Sequence, residues 1–292
     1  MAPSLALHIG AHKTASTYLQ DALRKARPLL DDAGVRLLTP YDLRQPGEYL
    51  RDRFAPRPGM EGPDLLRHQA GAARRLVITE ENLPGRLHDL GLVRMPVYPN
   101  AATHIGALAD AIAPCRVELF VCLRRPTGFL ASAYSQVLLA RSVIAPEDFF
   151  AANDWRRLDW VDYLQRLRAI PGVGRINVWR YEDHIHVIRP VLRRLLGWKL
   201  GAQVPLPPRR SHQGMSQTAL RATLEWVVEG RSGDLAAEAR RRYPVNRHNP
   251  ALRLYDPDTE EAADAAYADQ MARIAALDRV EVLRPSRRVA QA

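Results

Sequence analysis

Short apolar runs set between helical stretches constrain this 292-residue chain more than any other feature. The runs are 5–9 (LALHI), Val35–Leu38, Leu76–Thr79, Val117–Leu123 (VELFVCL) and Ile176–Tyr181 (INVWRY). They are strand-length and nearly continuous in apolar character, which is the mark of strands buried on both faces of a parallel sheet. Val117–Leu123 reads as the most central of them. Helical spacing fills the gaps. Ser16 to about Ala33 carries Tyr18, Leu19, Ala22, Leu23 and Ala26 on one face, and Ala101–Ala113, Pro126–Ala140, Asp159–Ala169 and Val187–Leu196 around Pro190 follow. Strands alternating with helices predict an α/β fold of three layers, α/β/α, with a central parallel sheet. Beyond the proline-rich 205–208, the stretches 216–230, 234–242 and 257–277 read as a helical C-terminal third. The expected organisation is one domain over 1–292, with a core at about 5–197 and the helices of 216–277 packed on it. Residues 40–63 and 83–100, rich in Pro and Gly, read as long irregular loops.

Composition narrows the class. Hydrophobic content of 47% and charged content of 25% are ordinary for a globular protein, and no apolar run approaches a membrane span. MAPSLALHIG has no basic n-region of a secretory signal, so the expectation is a cytoplasmic protein with no membrane span. The two cysteines, Cys115 and Cys122, form no CxxC pair and read as buried structural thiols. The net charge of +10 permits a polyanion partner. However, the basic residues are dispersed, and the runs Arg240–Arg242 and Arg284–Arg288 lack the interleaved aromatics of a single-strand nucleic-acid surface. A small anionic ligand or a solvated basic surface fits better than nucleic acid. Almost every cation is arginine; the lysines are Lys13, Lys25 and Lys199. Lys13 therefore stands out, since a compact ammonium reaches a crowded centre more easily than a planar fork.

The loop after the first strand reads HIGAHKTAST. A strand, a glycine turn and a helix opening on hydroxyl residues present free backbone N–H groups and the positive end of a helix dipole. Lys13 adds a full charge, and Thr14, Ser16 and Thr17 add hydroxyl donors. A plain βα turn with Ser16 as its cap is the simpler alternative. The loop is not a Walker A pattern, because two residues separate Gly10 from Lys13 and no glycine precedes the lysine. No strand ends in an aspartate suited to organising magnesium; the strand ends carry Glu81, Arg124 and Glu182.

HIGAHKTASTYLQ resembles the loop of the PAPS-dependent sulfotransferases, in the form common among bacterial and carbohydrate members, HIGxxKTGTTxLQ. PAPS is 3′-phosphoadenosine 5′-phosphosulfate. Gly10, Lys13, Thr14, Ser16, Thr17, Leu19 and Gln20 match. The resemblance implies a P-loop NTPase-like sheet whose loop, with His12 and Ala15 included, wraps the 5′-phosphosulfate. Ala15 stands where the family has Gly, which matters if that position needs a positive φ. The family's second signature, for the 3′-phosphate, resembles VELFVCLRRPTGFLASAY: Arg124 ends the strand, Arg125 and Pro126 follow, and Ser132 is the matching serine. Arginine offers phosphate a rigid, charged fork.

Other positions are weaker. VITEENL resembles a family segment often written ISSEN, which aligns Glu81 as a base for an acceptor hydroxyl. Glu80, His12 and His104 are alternatives for that role, and a structural glutamate is the simpler reading. Tyr181, in INVWRYED, resembles a family tyrosine near the nucleotide; a core tyrosine is as good a reading. HQGMSQTALRATLEWV resembles a segment that covers the nucleotide, but His212 and Gly214 replace Asn and Ser, so no site residue is carried over. Arg209 and Arg210 are placed to reach a phosphate, with solvated arginines as the simpler reading. His184 and His186 have no carboxylate or cysteine cluster nearby, so no metal is expected.

The resemblance implies in-line transfer of the sulfuryl group from PAPS to a hydroxyl or amine, with adenosine 3′,5′-bisphosphate (PAP) as product and no metal. Lys13 and Glu81 would be the catalytic pair. The acceptor, whether small molecule, carbohydrate or lipid, has no legible code, and neither has the oligomeric state. The loops 40–63 and 83–100 and the C-terminal helices are expected to shape its pocket. Two alternatives stay open: a P-loop-type kinase of a small metabolite, and a non-catalytic anion- or nucleic-acid-binding protein.

Overall fold

A computed structural model describes residues 2–140, 144–208 and 214–285. The segment of Arg209, Arg210 and His212, and most of the run Arg284–Arg288, lie outside the described residues.

The central layer is the sheet. Strands β1 (Ser4–His8), β2 (Val35–Leu38), β3 (Arg75–Thr79), β4 (Val117–Leu123), β5 (Val173–Arg180) and β6 (Val280–Val282) stand in the order β2-β3-β1-β4-β5-β6, all parallel. Leu7 lies in register with Ile78 on one side and Leu119 on the other. The expected three-layer α/β/α architecture with a helical C-terminal region is the one observed.

Alternate residues of these strands feed two cores, one on each face. Leu5, Leu7, Ile78, Leu119 and Val121 pack against α6 (Ala101–Ala111), α7 (Pro126–Leu139) and α9 (Trp160–Arg168), through residues such as Ile105, Phe129 and Leu164. Ala6, Val77, Phe120 and Cys122 face α1 (Ser16–Lys25) and α10 (His184–Leu196), meeting Leu19, Leu23, Val191 and Leu195. This two-sided burial is why the strands read as continuous apolar runs. His8 belongs to this core. Its Nδ1 lies 2.9 Å from Thr79 Oγ1 and its ring stacks on Trp179.

Several expectations are corrected. The helix expected over Ser16–Ala33 breaks at Ala26, and α2 (Arg27–Asp32) starts anew. Pro28 has no N–H for the Arg24 carbonyl, and its ring would collide with it. The excursion 40–63 contains α3 (Pro40–Leu43), capped by Thr39 and Asp42, and α4 (Leu50–Arg53), and its end begins α5 (Gly62–Ala70). Gly62 is required there: a Cβ would sit 2.2 Å from the Ala113 carbonyl oxygen. The apolar content of 40–63 was spread too thinly over these short turns to show a period. Strand β6 was not foreseen, because Val-Glu-Val is too short to carry a pattern, yet it pairs with Ile176–Val178 of β5. Helices α8 (Pro146–Ala152) and α11 (Trp198–Gln203) are likewise additions. Cys122 is buried as expected, but Cys115 is only half-buried; both are free thiols.

In the C-terminal region α12 (Gln217–Val228) and α13 (Leu235–Arg242) pack on each other, and α13 also meets α7. Helix α14 (Pro257–Ala275) lies against α7 and α9. Among the described residues, no helix is long and apolar enough to cross a membrane.

Candidate functional site

In a parallel sheet the segments after the strands collect at the carboxyl edge, and a crevice opens where the chain's course reverses. Here β1 is flanked by β3 and β4, so the loops after these three strands meet. They line a cavity of about 830 Å³ together with residues of α7, Tyr181 and the α12–α13 region. His12, Lys13, Ala15, Ser16, Thr17, Glu81, Arg124, Ser132 and Tyr181 all face it. Sites more than a hundred residues apart in sequence are thus brought to one place.

The loop after β1 has an unusual backbone. Ala15 has φ 61° and ψ 30°, and Lys13 also has φ 61°, so both sit in the left-handed region. Ala15 holds the conformation that the glycine of the resembling loops would adopt freely. Among the described residues, the backbone N–H groups of Lys13, Thr14, Ala15, Ser16 and Thr17 find no acceptor. No carboxylate lies in the first turn of α1 and no side chain caps it. Ser16 Oγ is buried with no hydrogen-bond partner. The first N–H groups of a helix have no intrahelical partner, and an anion is one kind of acceptor that answers them. Gly10, with φ 87°, lies beneath the loop rather than on the cavity wall; a Cβ there would press on Glu81 Cβ at 3.2 Å.

Two expected donors are used otherwise. Thr14 is buried and its hydroxyl donates to the Ala11 carbonyl at 2.6 Å, so it braces the loop from inside. His12 fastens the loop outward. Its backbone N–H donates to the Tyr98 hydroxyl at 3.0 Å, Nδ1 lies 2.9 Å from the same hydroxyl, and Nε2 lies 2.9 Å from Asn82 Oδ1. Since Asn82 Oδ1 can only accept, Nε2 carries the proton and Nδ1 accepts from Tyr98. Burial, the main influence, lowers the pKa of His12, which keeps the ring neutral. With both nitrogens engaged, His12 is an anchor rather than a base.

The cationic side of the cavity is stronger than the sequence suggested. Lys13 Nζ donates to Gln136 Oε1 at 2.6 Å. Burial first, then the charges of Arg240 and Arg124, pull the Lys13 pKa down. Arg124 donates to the Lys13 carbonyl at 2.8 Å, and its guanidinium lies over the Tyr181 ring at 4.4 Å from the centroid. Trp160 Nε1 donates to the Arg124 carbonyl and fixes the strand end. Arg86 and Arg240 complete four cationic side chains around the cavity, facing one carboxylate, Glu81, among the described residues. Arg125 turns away; it pairs with Glu260 and Asp264 of the C-terminal region.

Glu81 is held rather than free. It accepts from Gln20 Nε2 at 2.7 Å and from Arg44 at 2.9 Å. Burial, the largest influence, raises its pKa, but its own backbone N–H, Arg44 and Gln20 together outweigh burial and bring it below the usual carboxylate range. Glu80 is bound by the same Arg44 at 2.6 and 3.1 Å and points to the other side of the chain. His104 lies on α6 with Nδ1 3.0 Å from the Leu83 carbonyl and does not line this cavity. Of the four candidates for a base, only Glu81 combines a cavity position with an ionised form; Gln20 and Arg44 each hold one of its oxygens, and each oxygen keeps a second lone pair for a further donor.

Gln136, Tyr98, Arg44 and Arg240 were missed by sequence reading. Gln136 was within reach, since it lies four residues beyond Ser132 and so on the same helical face. Tyr98 and Arg44 sit in segments read as irregular, and Arg240 in a run read as solvated. None of the three has a periodic signal. The described residues hold no group of three or more His, Cys, Asp or Glu suited to a metal. No family model, curated protein or solved structure matches the chain.

Proposed function

We propose that this chain is a PAPS-dependent sulfotransferase, moving the sulfuryl group to a hydroxyl or amine. The observation that carries the reading is the joined pair of anion sites. An unsatisfied N–H loop with the orphaned Ser16 hydroxyl and Lys13 shares one cavity with Arg124, Ser132 and Tyr181. A ligand that is anionic at two places, with an aromatic or sugar body between, fits such a cavity; a singly charged ion leaves half of it unanswered. Lys13, Arg86 and Arg124 along one cavity, and the depressed Lys13 pKa, both favour a multiply charged anion.

In this reading the loop N–H groups and Lys13 receive the phosphosulfate end, and Arg124 with Ser132 receives the 3′-phosphate. Tyr181, stacked under Arg124, backs the nucleoside. The acceptor oxygen forms its bond to sulfur as the sulfur–oxygen bond to the 5′-phosphate breaks, and the electron pair stays on the phosphate oxygen. Lys13 and the Ser16 and Thr17 hydroxyls neutralise the charge that grows there. Glu81 takes the proton of the acceptor and passes it to solvent. Catalysis rests on positioning and charge stabilisation, as it does in phosphoryl transfer.

Isothermal titration with PAP tests this. The wild-type chain binds, Arg124→Ala weakens binding at least tenfold, and magnesium makes no difference. Absence of PAP binding, or binding indifferent to Arg124→Ala, overturns the reading. Magnesium-dependent binding of ATP in preference to PAP supports a kinase instead.

A further inference from the structure

A second cavity, of about 1070 Å³, opens beside the first, between α3, α4, α6 and the segment after β3. Its walls are mainly hydrocarbon: Leu43, Leu50, Phe54, Leu83 and Leu108, with Ala107 at the mouth. Glu80 and Asn82 form its polar end, and Asn82 also lines the anion cavity. The three residues Glu80, Glu81 and Asn82 are therefore the partition: Glu80 faces the apolar side, Glu81 the anionic side, and Arg44 grips both carboxylates across it. Elsewhere the polar side chains of the apolar cavity lie towards its opening, as Arg51 does with 83% of its side chain exposed.

We infer that this cavity receives the acceptor, and that the acceptor is an alcohol or phenol on an apolar body, its hydroxyl delivered past Asn82 to Glu81. This rests on the sulfotransferase reading. A carbohydrate would bring many hydroxyl groups against Leu43, Leu50, Phe54 and Leu108, where they find no partners, and buried unpaired hydroxyls are penalised. A hydrocarbon body gains from the same walls, and the volume suits a small molecule of this kind. The one polar end places the one hydroxyl. That hydroxyl's oxygen bonds to sulfur, its proton goes to Glu81, and PAP leaves with the electron pair of the broken sulfur–oxygen bond.

The test is transfer from ³⁵S-labelled PAPS to 1-decanol, 2-naphthol and cellobiose, with PAP titration run alongside. Label is expected on the two apolar alcohols and not on cellobiose. Ala107→Trp, at an exposed position of α6, fills the mouth without touching the anion site. It is expected to lower transfer to the apolar alcohols at least tenfold and leave PAP affinity within twofold. PAP binding with label on cellobiose alone, with label on none of the three, or with transfer indifferent to Ala107→Trp overturns the acceptor class and leaves the sulfotransferase reading standing. Absence of PAP binding overturns that reading and the acceptor class with it.

Discussion

The guanidinium of Arg124 donates a 2.8 Å hydrogen bond to the carbonyl oxygen of Lys13. The end of β4 thereby holds the loop after β1. In the proposed function, a ligand that engages Arg124 is expected to stiffen the loop carrying Lys13 as well.

Arg124→Lys separates charge from geometry. A lysine keeps the positive charge but cannot hold the Lys13 carbonyl and a phosphate with one planar fork. PAP affinity is expected to fall about tenfold to a hundredfold, as for loss of a charge-assisted hydrogen bond. Titration calorimetry reads this directly, and affinity within twofold of wild type shows that the fork is dispensable.

Ala15→Gly relieves the left-handed backbone at the start of α1. Alanine in this region carries a penalty of roughly 1–2 kcal/mol that glycine avoids, against which glycine loses more entropy on folding. The net expectation is a gain of up to about 1 kcal/mol, seen as a rise of a few degrees in thermal midpoint. A fall in the midpoint contradicts the assignment of strain to this residue.

Arg44→Ala leaves Glu81 with burial and fewer hydrogen bonds, so its pKa should rise from its depressed value. In the proposed reaction Glu81 works as a base only when ionised, so the acid limb of sulfuryl transfer is expected to move to higher pH, with a tenfold change for each pH unit below the pKa. Carboxyl-carbon NMR titration of Glu81 in the two proteins reports the shift without need of an acceptor. An unchanged titration shows that Arg44 has no part in setting it.

A buried histidine, His8, and a half-buried one, His184, predict acid lability. Burial, the leading cause for each, lowers the pKa of His8 and of His184 to about 4, against 6.5 for an ordinary imidazole. Between pH 6.5 and 4 the unfolded chain binds protons that the folded chain does not, so stability falls as pH falls through this window. For His8 the loss is on the order of 3 kcal/mol by pH 4. Thermal melts from pH 7 to 4 should show the decline, and His8→Gln should flatten it; an equal slope in the variant rules His8 out as a source.

Tyr98→Phe removes the hydroxyl that holds both the backbone and the ring of His12. The loop should loosen at small cost to the fold, since Tyr98 keeps its ring contacts. Amide hydrogen exchange at Ala11, His12 and Tyr18, the hydrogen-bonded amides at the two ends of the loop, is expected to speed up about fivefold or more, the equivalent of about 1 kcal/mol of local stability. Unchanged exchange means that Thr14, Asn82 and Arg124 brace the loop without the Tyr98 hydroxyl.

Much of the architecture was open to reading along the chain. Five of the six observed strands showed as apolar runs, because burial on both sheet faces leaves a local mark that needs no partner to be seen. The turn from β1 into α1 showed too, since a glycine and a run of hydroxyl residues after an apolar strand mark the start of a helix. The short helices of 40–63 and the strand Val280–Val282 escaped because three or four residues cannot display a period.

What the chain's local pattern determined, then, was where strands end and which loops carry charge. What tertiary structure alone decided was how those charges are answered. Thr14 turns inward to Ala11, Gln136 takes Lys13, Arg44 binds Glu80 and Glu81 together, and α13 brings Arg240 to the cavity. Hydrophobic periodicity records burial, which is a property of each segment. A hydrogen-bond partner is a property of two segments, and no spacing within either one encodes the other.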